Sequence, residues 1–388
     1  MRRYLIGLLL LLVVLLTFWF VRSPSAAPPA NAALESLLVE NDQTSAAFAR
    51  ATTPDAIHFP QDLGPHEDYQ TEWWYYTGNL ETDNGREFGY QFTIFRRALT
   101  PPSETPAVDN ASDWRSNQVY LAHFTVSDIE GNEFFATERF SRGAAGLAGA
   151  QAEPYRVWLE DWSVAEVMPG VVRIQARTGE VKLDITLTET MPRILHGDGG
   201  LSQKGAEPGN ASYYYSIVQQ ATDGRLRIGD QTFEVTGRSW NDHEYSTSAL
   251  SPGSVGWDWF SLQFDDGRAL MLFQIRREDG TIEPYSSGSF IEADGSVRSL
   301  PQTSWRVEVL DNWTSPSSGA EYPSRWRLTI PEMALELEGR ALMPDQELAV
   351  STTYWEGAVA FEGSMAGQPL EARGYIELTG YAAAPVPE

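Results

Sequence analysis

From Pro60 onward the chain is governed by period-two alternation. Val181, Leu183, Ile185 and Leu187 alternate with Lys182, Asp184, Thr186 and Thr188, and Met333, Leu335 and Leu337 alternate with Ala334, Glu336 and Glu338. Successive side chains of a strand point to opposite faces, so each run reads as a strand with one buried face and one wet face. Turn residues punctuate the runs at Asp83-Asn84-Gly85, Glu130-Gly131-Asn132 and Asp265-Asp266-Gly267, where glycine and asparagine supply the backbone conformations of hairpin connections. Helical periodicity almost vanishes over the same span, and the body is expected to be antiparallel β.

A chain of 388 residues suits two ordinary domains or one large all-β body. An internal echo favours two. Residues 74–97 run from aromatics through a turn at Gly85 and a strand Phe88 to Phe95 into Arg96-Arg97; residues 257–277 repeat that order, with a turn at Gly267, a strand Ala269 to Ile275 and the pair Arg276-Arg277. The arginine pairs read as strand-end charges that neutralise nearby acids. The Gly-rich polar loop Leu195 to Asn210 is the most open stretch between the halves, and the expected domains are residues 61–225 and 226–388, two β-barrels or sandwiches in tandem.

Ahead of them, Arg2 and Arg3 precede an apolar run from Tyr4 to Val21, long for a cleaved signal peptide and about the minimum for a membrane-spanning helix. Residues 1–32 are thus a signal peptide or a membrane anchor, and either places the body outside the cytoplasm. Cleavage near Ala27 or Ala32 would release it; retention would tether it. Residues 33–60, rich in Ala and Pro, form a linker with one short helical pattern at Leu34, Leu37 and Leu38.

Composition removes several functions. The formal net charge of −25 repels nucleic acid and anionic membrane surfaces. The absence of cysteine excludes disulfides, thiolate nucleophiles and thiolate-bound metals. Thirteen tryptophans, 16 tyrosines and 17 phenylalanines suit both β-structure and pockets for large apolar ligands.

Two blocks concentrate aromatics and acids: Glu72-Trp73-Trp74-Tyr75-Tyr76-Thr77-Gly78, and Ser239-Trp240-Asn241-Asp242-His243-Glu244 followed by Trp257-Asp258-Trp259. On a strand, Glu72, Trp74 and Tyr76 share one face, and Trp73, Tyr75 and Thr77 the other. Trp240, Asp242 and Glu244 share a face opposite Asn241, His243 and Tyr245, and Trp257 and Trp259 face away from Asp258. In the plainer reading one face of the first block fills a barrel and the other lies against the second half, with Glu72 satisfied by an arginine. In the sharper one a face lines a ligand site. No Gly-x-Ser-x-Gly elbow is present for a serine hydrolase. Asp242, His243 and Glu244 cannot chelate a metal as a unit, since strand neighbours diverge; partners such as His123 or His196 would be needed. General acid chemistry fits better, because a carboxyl among indole and phenol rings is poorly solvated, holds its proton to higher pH and can donate it, while ring faces stabilise a developing cation. The candidate catalytic residues are Asp242, His243, Asp258 and Glu72; the candidate ligand-binding residues are Trp73, Trp74, Tyr75, Tyr76, Trp240, Glu244, Trp257 and Trp259. No metal or cofactor is called for.

These blocks, with Tyr354-Trp355-Glu356-Gly357-Ala358-Val359 and Gly374-Tyr375-Ile376-Glu377-Leu378-Thr379-Gly380-Tyr381, resemble the AttH-like, lipocalin-like proteins related to carotenoid 1,2-hydratase (hydroxyneurosporene synthase), including predicted secreted hydrolases. The similarity runs from about Pro60 to Tyr381. It implies an all-β fold of two tandem lipocalin-like antiparallel β-barrel domains after an N-terminal signal or anchor helix, and barrels of that size can hold one apolar ligand. Family hydratases add water across an unactivated terminal double bond through a carboxylic acid. The resemblance therefore implies an exported protein, periplasmic or secreted, that binds an apolar lipid or isoprenoid and hydrates or hydrolyses it. The alternative is a non-enzymatic carrier or accessory of an ABC-type export permease. Nucleic acid is not an expected partner under either reading.

Overall fold

The computed structural model describes residues 47–104, 116–247 and 250–382. The expected signal or anchor, and the short helical pattern at Leu34 to Leu38, lie outside the described residues. Within them there is no α-helix, only strands and short 3-10 turns.

The first sheet holds β1 (Thr71–Glu81), β2 (Glu87–Ala98), β3 (Gln118–Asp128), β4 (Glu133–Arg142), β5 (Ala148–Gln151), β6 (Arg156–Leu159), β7 (Trp162–Met168), β8 (Val171–Arg177), β9 (Val181–Glu189), β10 (Ile194–Leu195), β11 (Leu201–Gln203), β12 (Ala211–Ile228) and β13 (Gln231–Ser246). The second holds β14 (Ser254–Phe264), β15 (Ala269–Arg277), β16 (Ser287–Ile291), β17 (Val297–Pro301), β18 (Arg306–Thr314), β19 (Glu321–Ile330), β20 (Leu335–Ala341), β21 (Glu347–Ala349), β22 (Thr353–Met365) and β23 (Gln368–Leu378). Each sheet is antiparallel and curls toward a barrel. In the first, the order is β4-β3-β2-β1-β13-β12-β9-β8-β7-β6-β5, with β10 and β11 on β12; in the second it is β17-β16-β15-β14-β23-β22-β20-β19-β18, with β21 on β22.

The alternation behaves as its period demands. Val181, Leu183, Ile185 and Leu187 of β9 are buried in the first half, and Leu335 and Leu337 of β20 in the second. Met333 differs: it lies in a 3-10 turn opened by Pro331 and closed by Ala334 in the left-handed region (φ 47°), and the strand starts only at Leu335. The sheets divide between Ser246 and Ser254. The expected division at 225/226 falls inside β12, because β13 returns to lie between β1 and β12, pairs with the whole of β1 and so joins the two parts of the first sheet.

Three apolar clusters result. One fills the first half, with Trp74, Tyr76, Phe92, Phe124 and Trp162; another fills the second, with Phe260, Trp326, Trp355 and Phe361. The third joins the halves, packing Tyr75, Tyr214 and Trp240 against Trp259, Phe273 and Tyr375. Each such buried ring contributes about 1.5–3 kcal/mol over leaving it in water. Polar contacts fix the contact: Gln263 donates to the carbonyls of Val218 and Ser239 at 2.7 and 3.0 Å, and Ser127 donates to Gln346 at 2.7 Å. Gly89 permits the close approach of β2, since a Cβ there would lie 2.7 Å from the Tyr375 hydroxyl and 2.9 Å from Ala358 Cβ.

Candidate functional site

The β1–β13 pairing sets Glu72 opposite Tyr245, Trp74 opposite His243, and Tyr75 opposite Asp242. Directly paired residues share a face of the sheet. Glu72, Trp74, Tyr76, His243 and Tyr245 therefore turn into the first half, whereas Trp73, Tyr75, Trp240, Asp242 and Glu244 turn toward the second. A single sheet thus separates two buried polar networks.

In the first half, Glu72 is wholly buried and fully engaged. Its Oε2 accepts from Arg96 Nε at 2.7 Å and from the His66 backbone at 3.0 Å; its Oε1 accepts from His66 Nδ1 at 2.7 Å and His243 Nε2 at 2.8 Å. Burial alone would raise the Glu72 carboxyl, but the Arg96 guanidinium and the two imidazoles outweigh it and hold it well below the usual carboxylate range. His66 donates its other ring nitrogen to Asp62 at 3.1 Å, and although burial disfavours its charge, those bonds to Asp62 and Glu72 raise it. Burial lowers His243 against the pull of Glu72, and its Nδ1 meets the Tyr215 hydroxyl at 2.9 Å. It stacks on Trp74. His66, Glu72 and His243 could each turn one ligand atom to a metal, those atoms lying within 4.8 Å of one another. Hydrogen bonds already close the group, however, and the Arg96 cation on the same carboxylate opposes a second positive charge. The cluster behaves as a compensated ion pair with two imidazole supports.

Asp258 occupies the corresponding place in the second half. Arg276 Nε and the Tyr381 hydroxyl donate to its Oδ1 at 2.9 and 3.0 Å, and burial raises its carboxyl despite Arg276. Trp257 and Trp259 leave β14 on the opposite face, toward the first half. Gly256 at the preceding bulge has φ 155°, where a Cβ would strike the Thr379 carbonyl at 2.3 Å.

Between the halves, Asp242 is buried and surrounded by donors rather than cations. Tyr214 donates to Oδ2 at 2.7 Å, Trp240 Nε1 to Oδ1 at 2.6 Å, and the Ser216 hydroxyl also to Oδ1. Trp259 Nε1 donates to the Tyr214 hydroxyl at 3.1 Å, so a ring of the second half steadies the arrangement. Burial pushes Asp242 up to about 7 against those donors, with Glu244 adding to the rise. His196, bonded to Ser216 at 2.6 Å and to Ser289 at 2.8 Å, is lowered to about 3 by burial and by Lys204, and is therefore neutral. Lys204 pairs with Glu244 at 3.2 Å while its ammonium lies 3.8 Å from the Phe273 ring centre.

Of the residues singled out in the sequence, Trp73, Tyr75, Trp240, Asp242, Glu244, Trp257 and Trp259 meet between the halves. Glu72, Trp74, Tyr76 and His243 lie inside the first half and Asp258 inside the second. Sequence reasoning missed Tyr214 and Ser216, named His196 only as a partner that a metal site would need, and quoted Glu356 and Glu377 without giving them a role. The last two carried a signal: each is a lone acid in an otherwise apolar strand run, where a carboxyl has no reason to be unless it is enclosed.

The model of the AttH-like family matches residues 50–381. This chain belongs to the AttH-like family. The AttH-like protein described here is similar to the crystal structure of a putative AttH from Nitrosomonas europaea, with 34% sequence identity, a TM-score of 0.78, and coverage of 87% of this chain and 100% of that one. It shares its fold with kievitone hydratase from Nectria haematococca at 16% identity and a TM-score of 0.65, over 88% of this chain and 98% of that one. No curated protein matches it in sequence. The two curled antiparallel sheets are accordingly the lipocalin-like halves that the sequence led one to expect.

Proposed function

We propose that this AttH-like protein takes an apolar isoprenoid or lipid between its halves and hydrates it, with Asp242 as proton donor. The observation that carries the reading is Asp242 itself: a buried carboxyl that titrates near neutral pH, with which no cation pairs among the described residues, set among Tyr214, Trp240 and Trp259. Such an acid still carries its proton in a large share of molecules at neutral pH. Its carboxyl transfers that proton to one carbon of a double bond, the neighbouring rings stabilise the cation left on the other carbon, and water adds there with loss of a proton. Acid-assisted hydrolysis would draw on the same carboxyl. The name of kievitone hydratase, a neighbour in fold, adds support from outside the chain. The apolar run Tyr4 to Val21 behind Arg2-Arg3 supports an extracytoplasmic location.

The test is turnover of lycopene and of kievitone in ¹⁸O-labelled water by the wild type and by Asp242→Asn. The expected loss is about 10²- to 10⁴-fold, the usual worth of a positioned acid; unchanged turnover removes Asp242 from the mechanism. The aromatic inter-sheet cluster would equally serve a carrier that delivers ligand to an export permease. Mass spectrometry of ligand extracted from native protein separates the two, since a carrier yields unmodified lipid in stoichiometric amount.

A further inference from the structure

Two more carboxyls belong to the inter-sheet face. Glu356 and Glu377 are Cα partners on β22 and β23, and directly opposite residues carry their Cβ atoms about 4.5–5.5 Å apart on one face. Glu356 is wholly buried. Tyr75 of the first half donates to its Oε1 at 2.5 Å, and its Oε2 has no hydrogen-bond partner. Glu377 is only partly buried, pairs across β14 with Trp259, and accepts from Trp257 Nε1 at 2.7 Å. Facing Glu377 are Asp242 and Glu244 from β13, facing Glu356 are Tyr75, Tyr354 and Tyr375, and the lysine of this region, Lys204, is already engaged by Glu244. Among the described residues no cation pairs with either glutamate.

Two carboxylates in that position cannot both ionise cheaply. The sealed one, with an oxygen free to carry hydrogen, keeps the proton; the less enclosed residue, with an indole N–H aimed at it, is the one to ionise. Burial raises Glu356 well above the ordinary carboxylate range and Glu377 to about 7, in keeping with that order.

We infer that Glu377 is the base of the inter-sheet site, taking a proton from the attacking water, while Glu356 opposite it stays protonated and limits its charge. The inference rests on the hydration reading above. Its step balances: the Asp242 proton goes to one alkene carbon, the water oxygen bonds to the other, and a water proton goes to the Glu377 carboxylate. Return of that proton to Asp242 through water restores the site, and no oxidant or reductant is involved. The same pair gives the ligand a second requirement: the alkene must reach the site as a neutral, uncharged group, because a carboxylate on it would face Asp242, Glu244 and Glu377 together.

The experiment has two parts on the full chain. Infrared pH titration of the wild type is expected to show the carbonyl band of a protonated carboxylic acid persisting above about pH 8, and Glu356→Gln to lack it. A wild type without the band, or a band that survives in Glu356→Gln, overturns the shared proton. Turnover of lycopene and kievitone against pH is expected to show an acid limb in the wild type, where the base becomes protonated, and its loss in Glu377→Gln with a rate lower by roughly 10²-fold or more. An unchanged acid limb in Glu377→Gln overturns the base role. A wild type that shows the band but turns over neither probe overturns the hydration reading and the base role with it, while the shared proton stands.

Discussion

Glu72 and Asp242 are buried acids on paired strands, one on each side of the same sheet, and they are held in opposite states. Glu72 meets a guanidinium and two imidazoles and is kept ionised; Asp242 meets a phenol, an indole and a hydroxyl and is kept near its midpoint at neutral pH. Burial is common to both. What separates them is a cation, and the proposed function places structure on the inner face and chemistry on the outer one.

The largest effect should come from breaking the compensated side. Arg96→Met strands the Glu72 charge in the first interior and is expected to cost about 3–5 kcal/mol, the usual result of removing one partner of a buried pair, read by urea unfolding. A loss under 1 kcal/mol, on the order of an exposed pair, would erase the contrast. In the second half, Arg276→Met should cost less, about 1–3 kcal/mol, because Arg276 is 18% exposed and Asp258 keeps Tyr381 and Gln274. Tyr75→Phe removes the donor to Glu356 across the sheets; without a charge to strand, it should cost about 1–2 kcal/mol. A further effect, spread over a pH window, sharpens the comparison. Asp242 releases its proton near 3.8 when unfolded and near 7 when folded, so between those values the folded state holds a proton that the unfolded state has lost, and stability falls as pH rises. Asp242→Asn should therefore gain on the wild type across that window, by a melting shift of roughly 2–4 °C for each kcal/mol, and level off above it. Glu72 carries the opposite sign: its contribution is present above its unfolded value of 4.5 and is lost as pH falls through its depressed folded value.

Much of this was legible before any coordinates. Alternation alone put Glu72 with Trp74, and Trp240 with Asp242 and Glu244, on the faces they occupy. The plainer reading of the first block, a barrel-filling face, a contact face and an arginine for Glu72, is the observed one, and Arg96 and Arg276 neutralise acids as strand-end arginines were expected to. Period-two reasoning stops at the strand, however. It could not tell that β13 belongs to the first sheet, between β1 and β12, which moves the division past residue 225, because that is set by pairing with β1 far earlier in the chain. Nor could it bring Glu356 to Tyr75, a contact of sheet against sheet, or Glu377 to Trp257, which follows from the pairing of β14 with β23. Asp258 lies within that reach: it adjoins Trp257 and Trp259 in sequence and is turned away from them in space, as alternation requires.

The contrast is tested most directly by comparing Asp242→Asn with Glu72→Gln, both confirmed as folded, in the hydration of lycopene and kievitone. Turnover should fall by about 10²-fold or more in Asp242→Asn and persist in Glu72→Gln. Retained turnover in Asp242→Asn together with loss in folded Glu72→Gln would place the chemistry on the other face of the sheet and contradict the account.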